Sequence, residues 1–496
     1  MLFGLLVAVS LPLAQVDTTA VATDTAVTVI TLEDALRIAL SENPAVKVAD
    51  KEVEKAGYAK KGSYSALFPQ ISGSASYQRT IKKQVMYMGG DDDDEDGGGM
   101  SSMFAGIMDP IMYHINQLYA GTGVPYVPYV PAETVTTDDN GGGIAVGRWN
   151  TFSAGISATL PLVAPQLWES IKVSGEQVEA AVEKARESRL GTVAQVKQAY
   201  YSTLLAKEVY KVYREVHENA MQNFAQTEMR YKAKKASELE YARAKTTVAN
   251  AVPNLYNAES SVILSLWQLK AVMGVDLDME IDVAGELADY ADHMFYDIHQ
   301  HDTVSLENNS SLRQLAIQAE QLASNIRIQK YAYLPTLALN FSYMYNAMTN
   351  DFNFSEFHWT PYSYVGLGLN IPIFSGGKRS NDVKQAKVQA EELDIQRQNT
   401  ERQLRIAIRQ NLQTMETNMK SYISAQDALE TARKAYDIAA KSYNLGSSTI
   451  TELNDAQLAL TQVQLSANQA IFNFVVAKAG LENTLGIDYT VQEENQ

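Results

Sequence analysis

The stretch FSAGISATL, residues 152–160, alternates apolar or small side chains with polar or small ones at every step. A period of two is typical of a β-strand that has one apolar face and one face in contact with water. Residues 70–78, 337–345 and 365–371 repeat the pattern. Strands of roughly nine to eleven residues are what a tilted strand needs to cross a bilayer. The sequence therefore predicts four membrane-spanning strands.

An ordinary sandwich face would show the same alternation, so a second signal is needed. Aromatic residues gather near the strands, as in the girdles where a barrel meets lipid headgroups; they include Tyr87, Trp149, Phe352, Phe357, Trp359, Tyr362 and Tyr364. Four strands cannot close a barrel, and an open edge in lipid leaves backbone groups unpaired. Several copies must therefore pool their strands, and two, three or four copies would give eight, twelve or sixteen.

Long helices are predicted beside the strands. Residues 166–230 and 378–444 contain no proline, and each would extend roughly 100 Å as a helix. The second carries a seven-residue repeat that predicts supercoiled packing, made by Met415, Tyr422, Leu429, Tyr436 and Tyr443. Four shorter helices are expected at 44–66, 235–272, 310–333 and 449–484. Their lengths allow two of them to stack end to end beside each long helix. An interior proline, Pro253, predicts either a kink or a loss of about 3 kcal/mol of helix stability.

The chain carries an internal repeat. Asn43 and Pro69 match Asn309 and Pro335 at an offset of 266, whereas Asp276 matches Asp488 at 212 because the first copy has a long insertion. The expected divisions are a signal peptide at 1–20, a first repeat at 21–275 with a long loop at 80–148, an equatorial linker at 276–308, a second repeat at 309–488 and a tail at 489–496. The fold class is thus mixed α/β, with helical hairpins and membrane strands.

Composition narrows the function. The net charge of -17, from 41 basic and 58 acidic residues, argues against a nucleic-acid partner. The absence of cysteine excludes disulfides and thiol chemistry. The apolar start, MLFGLLVAVSLPLAQ, resembles a signal peptide, and no other apolar run reaches 18 residues. No nucleophile motif or acid and base pairing stands out, so we expect neither an enzyme nor a cofactor.

Several motifs together resemble the TolC family of outer-membrane factors, over residues 31–488. They are LEDAL at 32–36 followed by Asn43-Pro44, Leu334-Pro335, IPIFSGG at 371–377, and YNLG at 443–446 leading to Glu452-Leu453. The resemblance implies a homotrimer with a shared twelve-stranded transmembrane β-barrel and a periplasmic α-barrel tunnel. It further implies an exit duct in the outer membrane for an efflux pump or a type I secretion system, working with a periplasmic adaptor and, through it, an inner-membrane pump.

The resemblance also implies functional residues. Two equivalent helical turns would form the periplasmic tip that docks the adaptor, although small residues there could serve only a tight turn; the turns comprise Lys234, Lys235, Ala236 and Ser237, and Gly446, Ser447, Ser448 and Thr449. Glu452 and Asp455 would form acidic rings at the pore constriction, the alternative being a solvated helix face. Ser448 stands where the family can place a basic residue, which leaves a gating lock there in doubt.

Other functions stay open. The insertion contains DDDDED at 91–96 and reads as a flexible surface loop facing the exterior, with calcium binding as a weaker alternative. His293, His299, His301 and Asp302 fit no standard metal spacing, so no metal is expected. A surface adhesin or a soluble coiled-coil scaffold are the alternative functions. The cargo, whether drug, ion or polypeptide, cannot be read from the chain.

Overall fold

A computed structural model describes residues 28–87, 143–292, 305–353 and 357–487, with Met294 and a few positions between 108 and 115. The helices are α1 (Leu32–Glu42), α2 (Pro44–Ser65), α3 (Pro165–Lys232), α4 (Glu238–Met273), α5 (Ser310–Tyr331), α6 (Lys378–Leu445) and α7 (Ile450–Leu485). The strands are β1 (Thr28–Ile30), β2 (Gln70–Arg79), β3 (Gln84–Tyr87), β4 (Gly143–Val146), β5 (Asn150–Val163), β6 (Ile281–Val283), β7 (Thr336–Thr349) and β8 (Thr360–Asn370).

The order helix, strand, strand, long helix, shorter helix occurs twice. The first set is α2, β2, β5, α3 and α4, and the second is α5, β7, β8, α6 and α7. All six predicted helices and all four predicted strands are confirmed, with ends that differ by a few residues. The division of the chain into two copies of one unit remains a prediction.

The chain separates into two compact units, of which one (Tyr64–Leu167 and Ala332–Phe374) contains β2 to β5, β7 and β8. Its main sheet is antiparallel and has the order β2-β5-β7-β8, so β2 and β8 are its edges. Alternation gives the sheet two unlike faces, as predicted. On the polar face, hydroxyl pairs link β2 to β5, with Ser72 and Ser157 at 2.9 Å and Ser76 and Ser153 at 2.7 Å.

The opposite face of this sheet is apolar and exposed. Ile71 on β2 is 72% exposed, and Val365 and Leu367 on β8 are 69% and 66% exposed. Near the end of this face the Phe152 ring lies 4.8 Å from Tyr77 and 5.0 Å from Phe357, centroid to centroid. Large exposed apolar areas mark surfaces that contact lipid or another protein.

A second, smaller sheet stands at the base of the insertion. Strands β3 and β4 pair antiparallel from Gln84 with Val146 to Tyr87 with Gly143. The chain between them, including the acidic run, lies outside the described residues except for the few positions between 108 and 115. The signal peptide, the tail and the candidate histidines at 293, 299 and 301 also lie outside them.

The other unit (up to Ser63, Trp168–Tyr331 and from Ser375) is helical. Its main core lies where α1, α3, α4, α6 and α7 meet a short parallel pair formed by β1 and β6. The buried Tyr200 on α3 donates its hydroxyl to the Ala284 carbonyl at 2.7 Å and to the Ile30 carbonyl at 3.3 Å. Sequence reasoning missed this pair because strands of three residues are too short to show a period.

The seven-residue repeat of α6 lies in its packed seam. Met415 and Tyr443 are buried, and the three positions between them are half-buried. Helix α4 continues through Pro253, so the proline does not end it, and the kink stays a prediction. Ala251 and Ala258 on either side of the proline are buried, and such tertiary packing supplies most of the stability of a helix in a protein. Among the described residues, every helix is too short or too polar to span a bilayer.

Candidate functional site at the two helical turns

The first predicted turn joins α3 to α4 in a Schellman motif. The Lys234 N–H donates to the Tyr231 carbonyl at 2.9 Å, and the Lys235 N–H donates to the Arg230 carbonyl at 2.7 Å. These bonds satisfy the last carbonyls of α3 and require a left-handed residue at the position of Lys234. Lys234 has φ of 59°, and it is the one non-glycine residue with positive φ in the described part of the chain.

The second predicted turn joins α6 to α7 with the same bonds. The Gly446 N–H donates to the Tyr443 carbonyl at 3.0 Å, and the Ser447 N–H donates to the Ser442 carbonyl at 2.9 Å. Gly446 has φ of 79°, and a Cβ added there would lie 2.7 Å from Nη2 of Arg230. Glycine therefore suits this turn for its backbone angle and for its lack of a side chain.

Each turn is followed by a capping box. The Ser237 N–H donates to Oε2 of Glu240 at 2.8 Å, and the Glu240 N–H donates to Oγ of Ser237 at 3.2 Å. At α7 the Thr449 N–H donates to Oε2 of Glu452 at 3.0 Å, and the Ser448 hydroxyl donates to the same oxygen. The two acidic residues thus satisfy backbone groups that a helix start leaves unpaired.

The two candidate pore carboxylates differ in their surroundings. The hydrogen bond from the Ser448 hydroxyl, with those from Thr449, lowers the pKa of Glu452 below its usual value. Glu452 therefore stays ionised at neutral and mildly acidic pH. Asp455 is exposed and has no hydrogen bond or ion pair to any residue that the structure describes. Their arrangement as rings requires sister copies and stays a prediction.

Three side chains tie the ends of the two long helices together. The Thr227 and Tyr443 hydroxyls lie 2.5 Å apart, and Arg230 donates from Nη1 to the Tyr443 carbonyl at 2.9 Å. The Arg230 guanidinium also lies 5.4 Å from the centre of the Tyr443 ring. The sequence placed Tyr443 in the seven-residue repeat and in the YNLG motif, and neither pattern predicted its contacts with Thr227 and Arg230. Arg230, near the end of α3, is the basic residue that contacts the end of α6; the gating lock left in doubt at Ser448 is not tested by this contact.

Further polar contacts hold the starts of α4 and α7 side by side. Arg243, the counterpart of Asp455 at the offset of 212, donates from Nη1 to Oγ1 of Thr451 at 2.9 Å. The Asn454 amide donates to Oγ1 of Thr247 at 3.0 Å. The structure therefore brings both predicted turns into one cluster, with a basic residue in the first copy where the second has an acidic one.

The described residues of this cluster give no indication of a metal site. Within the described residues, no group of three or more His, Asp or Glu side chains is arranged to hold a metal ion. The predicted absence of a nucleophile and its base at the turns stays an expectation. What the cluster offers is a set of charges and hydroxyls at the ends of paired helices.

Solved structures with this fold are outer-membrane channels. The chain matches the CmeC outer membrane channel of Campylobacter jejuni with a TM-score of 0.65 and 16% identity, covering 98% of this chain and 97% of that one. It matches the outer membrane protein VceC of Vibrio cholerae with a TM-score of 0.63 and 14% identity, covering 92% of this chain and 96% of that one. The fold is thus that of an outer-membrane channel subunit.

Sequence comparison identifies the family. The model of the family described as outer membrane efflux protein matches residues 132–275 and 303–487. The outer membrane protein TolC of Vibrio cholerae is 21% identical over 351 residues, which are 68% of this chain and 76% of that protein. The efflux protein BepC of Brucella suis is 25% identical over 162 residues, which are 33% and 35% of the two chains. This chain belongs to the outer membrane efflux protein family, and it acts in the outer membrane with an extension into the periplasm.

Proposed function

We propose that three copies of this chain form one passive exit duct through the outer membrane and the periplasm. The observation that carries this proposal is the four-stranded sheet with an apolar face and two open edges, β2 and β8. In lipid each unpaired backbone group costs several kcal/mol, so open edges are not tolerated. Joining β2 of one copy to β8 of the next satisfies both edges at once and gives a closed barrel of twelve strands.

The helical unit offers a second reason to expect sister copies. Apolar side chains on α4 and α6 are exposed in the single chain, among them Tyr256, Leu264, Trp267, Ile395, Ile406 and Ile438. Burying such residues between helices of neighbouring copies removes apolar surface from water. We infer that four helical columns from each copy build a tunnel of twelve, in which the two halves of the chain act as copies of one unit.

The partners follow from the position of the two turns. We infer that both turns dock a periplasmic adaptor protein, which connects the duct to an inner-membrane pump that supplies the energy. Support comes from the exposure of both turns and from Lys234 and Lys235, whose side chains make no hydrogen bond or ion pair with the described residues. The duct itself performs no chemistry. Its cargo is exported either as small molecules or as secreted polypeptide.

Glu452 and Asp455 are proposed as the constriction of the tunnel. They lie three positions apart near the start of α7, so their carboxylates share a helix face. In a trimer, three copies of each would form stacked negative rings. A ring of charge in a narrow pore selects ions by sign.

Cysteine cross-linking tests the assembly directly, because the chain has no cysteine of its own. Ser74→Cys on β2 is combined in turn with Tyr364→Cys, Gly366→Cys or Gly368→Cys on β8, which samples the register between copies. We expect one combination to give a covalent trimer on a denaturing gel, since β2 and β8 of one chain are separated by two strands.

A matched pair within one chain serves as the control. Ser76→Cys with Ser153→Cys should form a disulfide inside a monomer, because the two hydroxyls already lie 2.7 Å apart. If this pair forms and no β2 to β8 combination links separate copies, or if the covalent species is a dimer or a tetramer, the trimeric duct is wrong.

A further inference from the structure

The end of α3 and the first turn together carry positive charge that the end of α6 and the second turn lack. Four of the six residues at 230–235 are basic, namely Arg230, Lys232, Lys234 and Lys235, whereas the equivalent residues 442–447 carry no charge. The chain as a whole has a net charge of -17. A basic cluster on an acidic protein is a local feature that the overall composition does not explain.

The backbone of the first turn shows that this charge is kept at a cost. Lys234 occupies the left-handed position of the turn, where φ is 59°, and the equivalent residue of the second turn is Gly446. A side chain in this region crowds its own carbonyl, which is why glycine is usual there. Glycine would remove that strain, so a lysine at this position indicates a demand other than folding.

Two of the four basic side chains have no partner in the chain. Arg230 is held against Tyr443, and Lys232 lies 3.3 Å from the carboxylate of Glu228. Lys234 and Lys235 are exposed and make no side-chain hydrogen bond or ion pair with the residues that the structure describes. Their ammonium groups are therefore available to a carboxylate from another molecule.

We propose that Lys234 and Lys235 bind an acidic surface on the periplasmic protein that docks at this end of the duct. The inference rests on the proposed function and names the chemistry of its partner. The second turn, uncharged and with Leu445 85% exposed, presents a different surface to the same partner. Each copy thus offers two unlike contacts, of which only the first depends on salt.

Zero-length carbodiimide cross-linking in intact cells tests this contact, since the reagent joins a lysine to a carboxylate only when the two touch. Peptides from the wild-type protein are mapped by mass spectrometry. We expect Lys234 or Lys235 to be joined to an Asp or Glu of a second periplasmic protein. Cross-links confined to carboxylates of this chain, or none at these lysines, would overturn the proposal.

A paired variant then separates binding from folding. Lys234→Gly with Lys235→Gln should lower the amount of the cross-linked partner that co-purifies by about tenfold. The melting temperature of the trimer should stay the same or rise, because glycine relieves the left-handed strain. Lys441→Gln, which removes an exposed lysine near the second turn, should leave both quantities unchanged.

The outcomes also separate this proposal from the duct itself. A trimer that forms and conducts, but whose partner binds the double variant as well as the wild type, contradicts only the role of the two lysines. A chain that never links β2 to β8 between copies contradicts the duct, whatever the lysines bind.

Discussion

One hydroxyl at the end of α6 contributes directly to the contact between the two long helices. Replacing Tyr443 by Phe removes its bond to the Thr227 hydroxyl but keeps the ring under Arg230. Thr227 still donates to the Asn223 carbonyl at 2.7 Å, so its hydroxyl is not left without a partner. The local unfolding free energy of this helix end should therefore fall by only about 1 kcal/mol. We expect amide hydrogen exchange in residues 440–446 to quicken by about fivefold. Tyr436→Phe is the control, because no hydrogen bond from Tyr436 is found among the described residues; equal quickening in both variants would contradict a specific role for the bond.

The acidic residues of α7 allow a prediction about pH. The pKa of Glu452 lies below its usual value because of the hydrogen bonds from Ser448 and Thr449, so its charge persists at neutral and mildly acidic pH and disappears only as the pH falls through the lowered pKa. We expect cation selectivity in planar bilayers to be unchanged between about pH 7 and pH 5 and to weaken only at pH values below the usual range of a glutamate pKa. The helix cap should weaken over the same range. Selectivity that is lost already near pH 6 would contradict the assignment to Glu452.

Charge removal at the same residues tests the pore directly. Glu452→Gln keeps an oxygen acceptor for the capping box, and Asp455→Asn changes an exposed group, so both variants should fold. We expect the reversal potential of the double variant in a salt gradient to move toward zero, because the proposed rings would no longer be negatively charged. Glu391→Gln is the matched control, because Glu391 is an exposed carboxylate on a different helix, α6. A double variant as cation-selective as the wild type would leave Glu452 and Asp455 as a solvated helix face.

At the scale of the element, Gly155 is the glycine of the main sheet that leaves the least room for a side chain. A Cβ added there would lie 2.5 Å from the Tyr343 carbonyl oxygen and 2.8 Å from Cα of Met344. Backbone atoms cannot move aside as the end of a flexible side chain can. Gly155→Ala should therefore lower the free energy of unfolding by about 1–3 kcal/mol. We expect a lower yield of folded trimer and a lower urea midpoint in lipid. Gly73→Ala on β2, where the nearest atom is 3.9 Å away, should behave as the wild type.

At the scale of the whole molecule, the long insertion is separable from the sheet that carries the duct. Strands β2 and β5 pair without interruption from Gln70 with Thr159 to Arg79 with Asn150, and this pairing does not involve the insertion. Replacing residues 85–145 by a short glycine and asparagine turn should therefore leave trimers that still conduct in bilayers. Loss of binding to surfaces with conduction intact would indicate an added adhesive role, whereas loss of conduction would show that the insertion is part of the duct.

The sequence by itself determined the elements and their faces, because these properties are local. A period of two in residues 152–160 states which side chains share a face of a strand, and the run without proline at 378–444 states that a helix continues. The turns could also be located, since the residues at 234 and 446 occupy equivalent places in a repeat. Composition added the absence of cysteine and the acidic net charge. The ends of these elements were then correct to within a few residues.

What only the tertiary structure decided are contacts between residues far apart in the chain. The tie from Arg230 to Tyr443, the parallel pairing of β1 with β6, and the approach of β7 to Gly155 depend on which segments meet, and no local period encodes that. The role of Glu452 as a helix cap and the left-handed backbone of Lys234 likewise follow from hydrogen bonds at the turns. The period of a segment determines which of its side chains share a face. Which other segment packs against that face depends on the whole fold, so these long-range contacts could not be predicted from the local pattern.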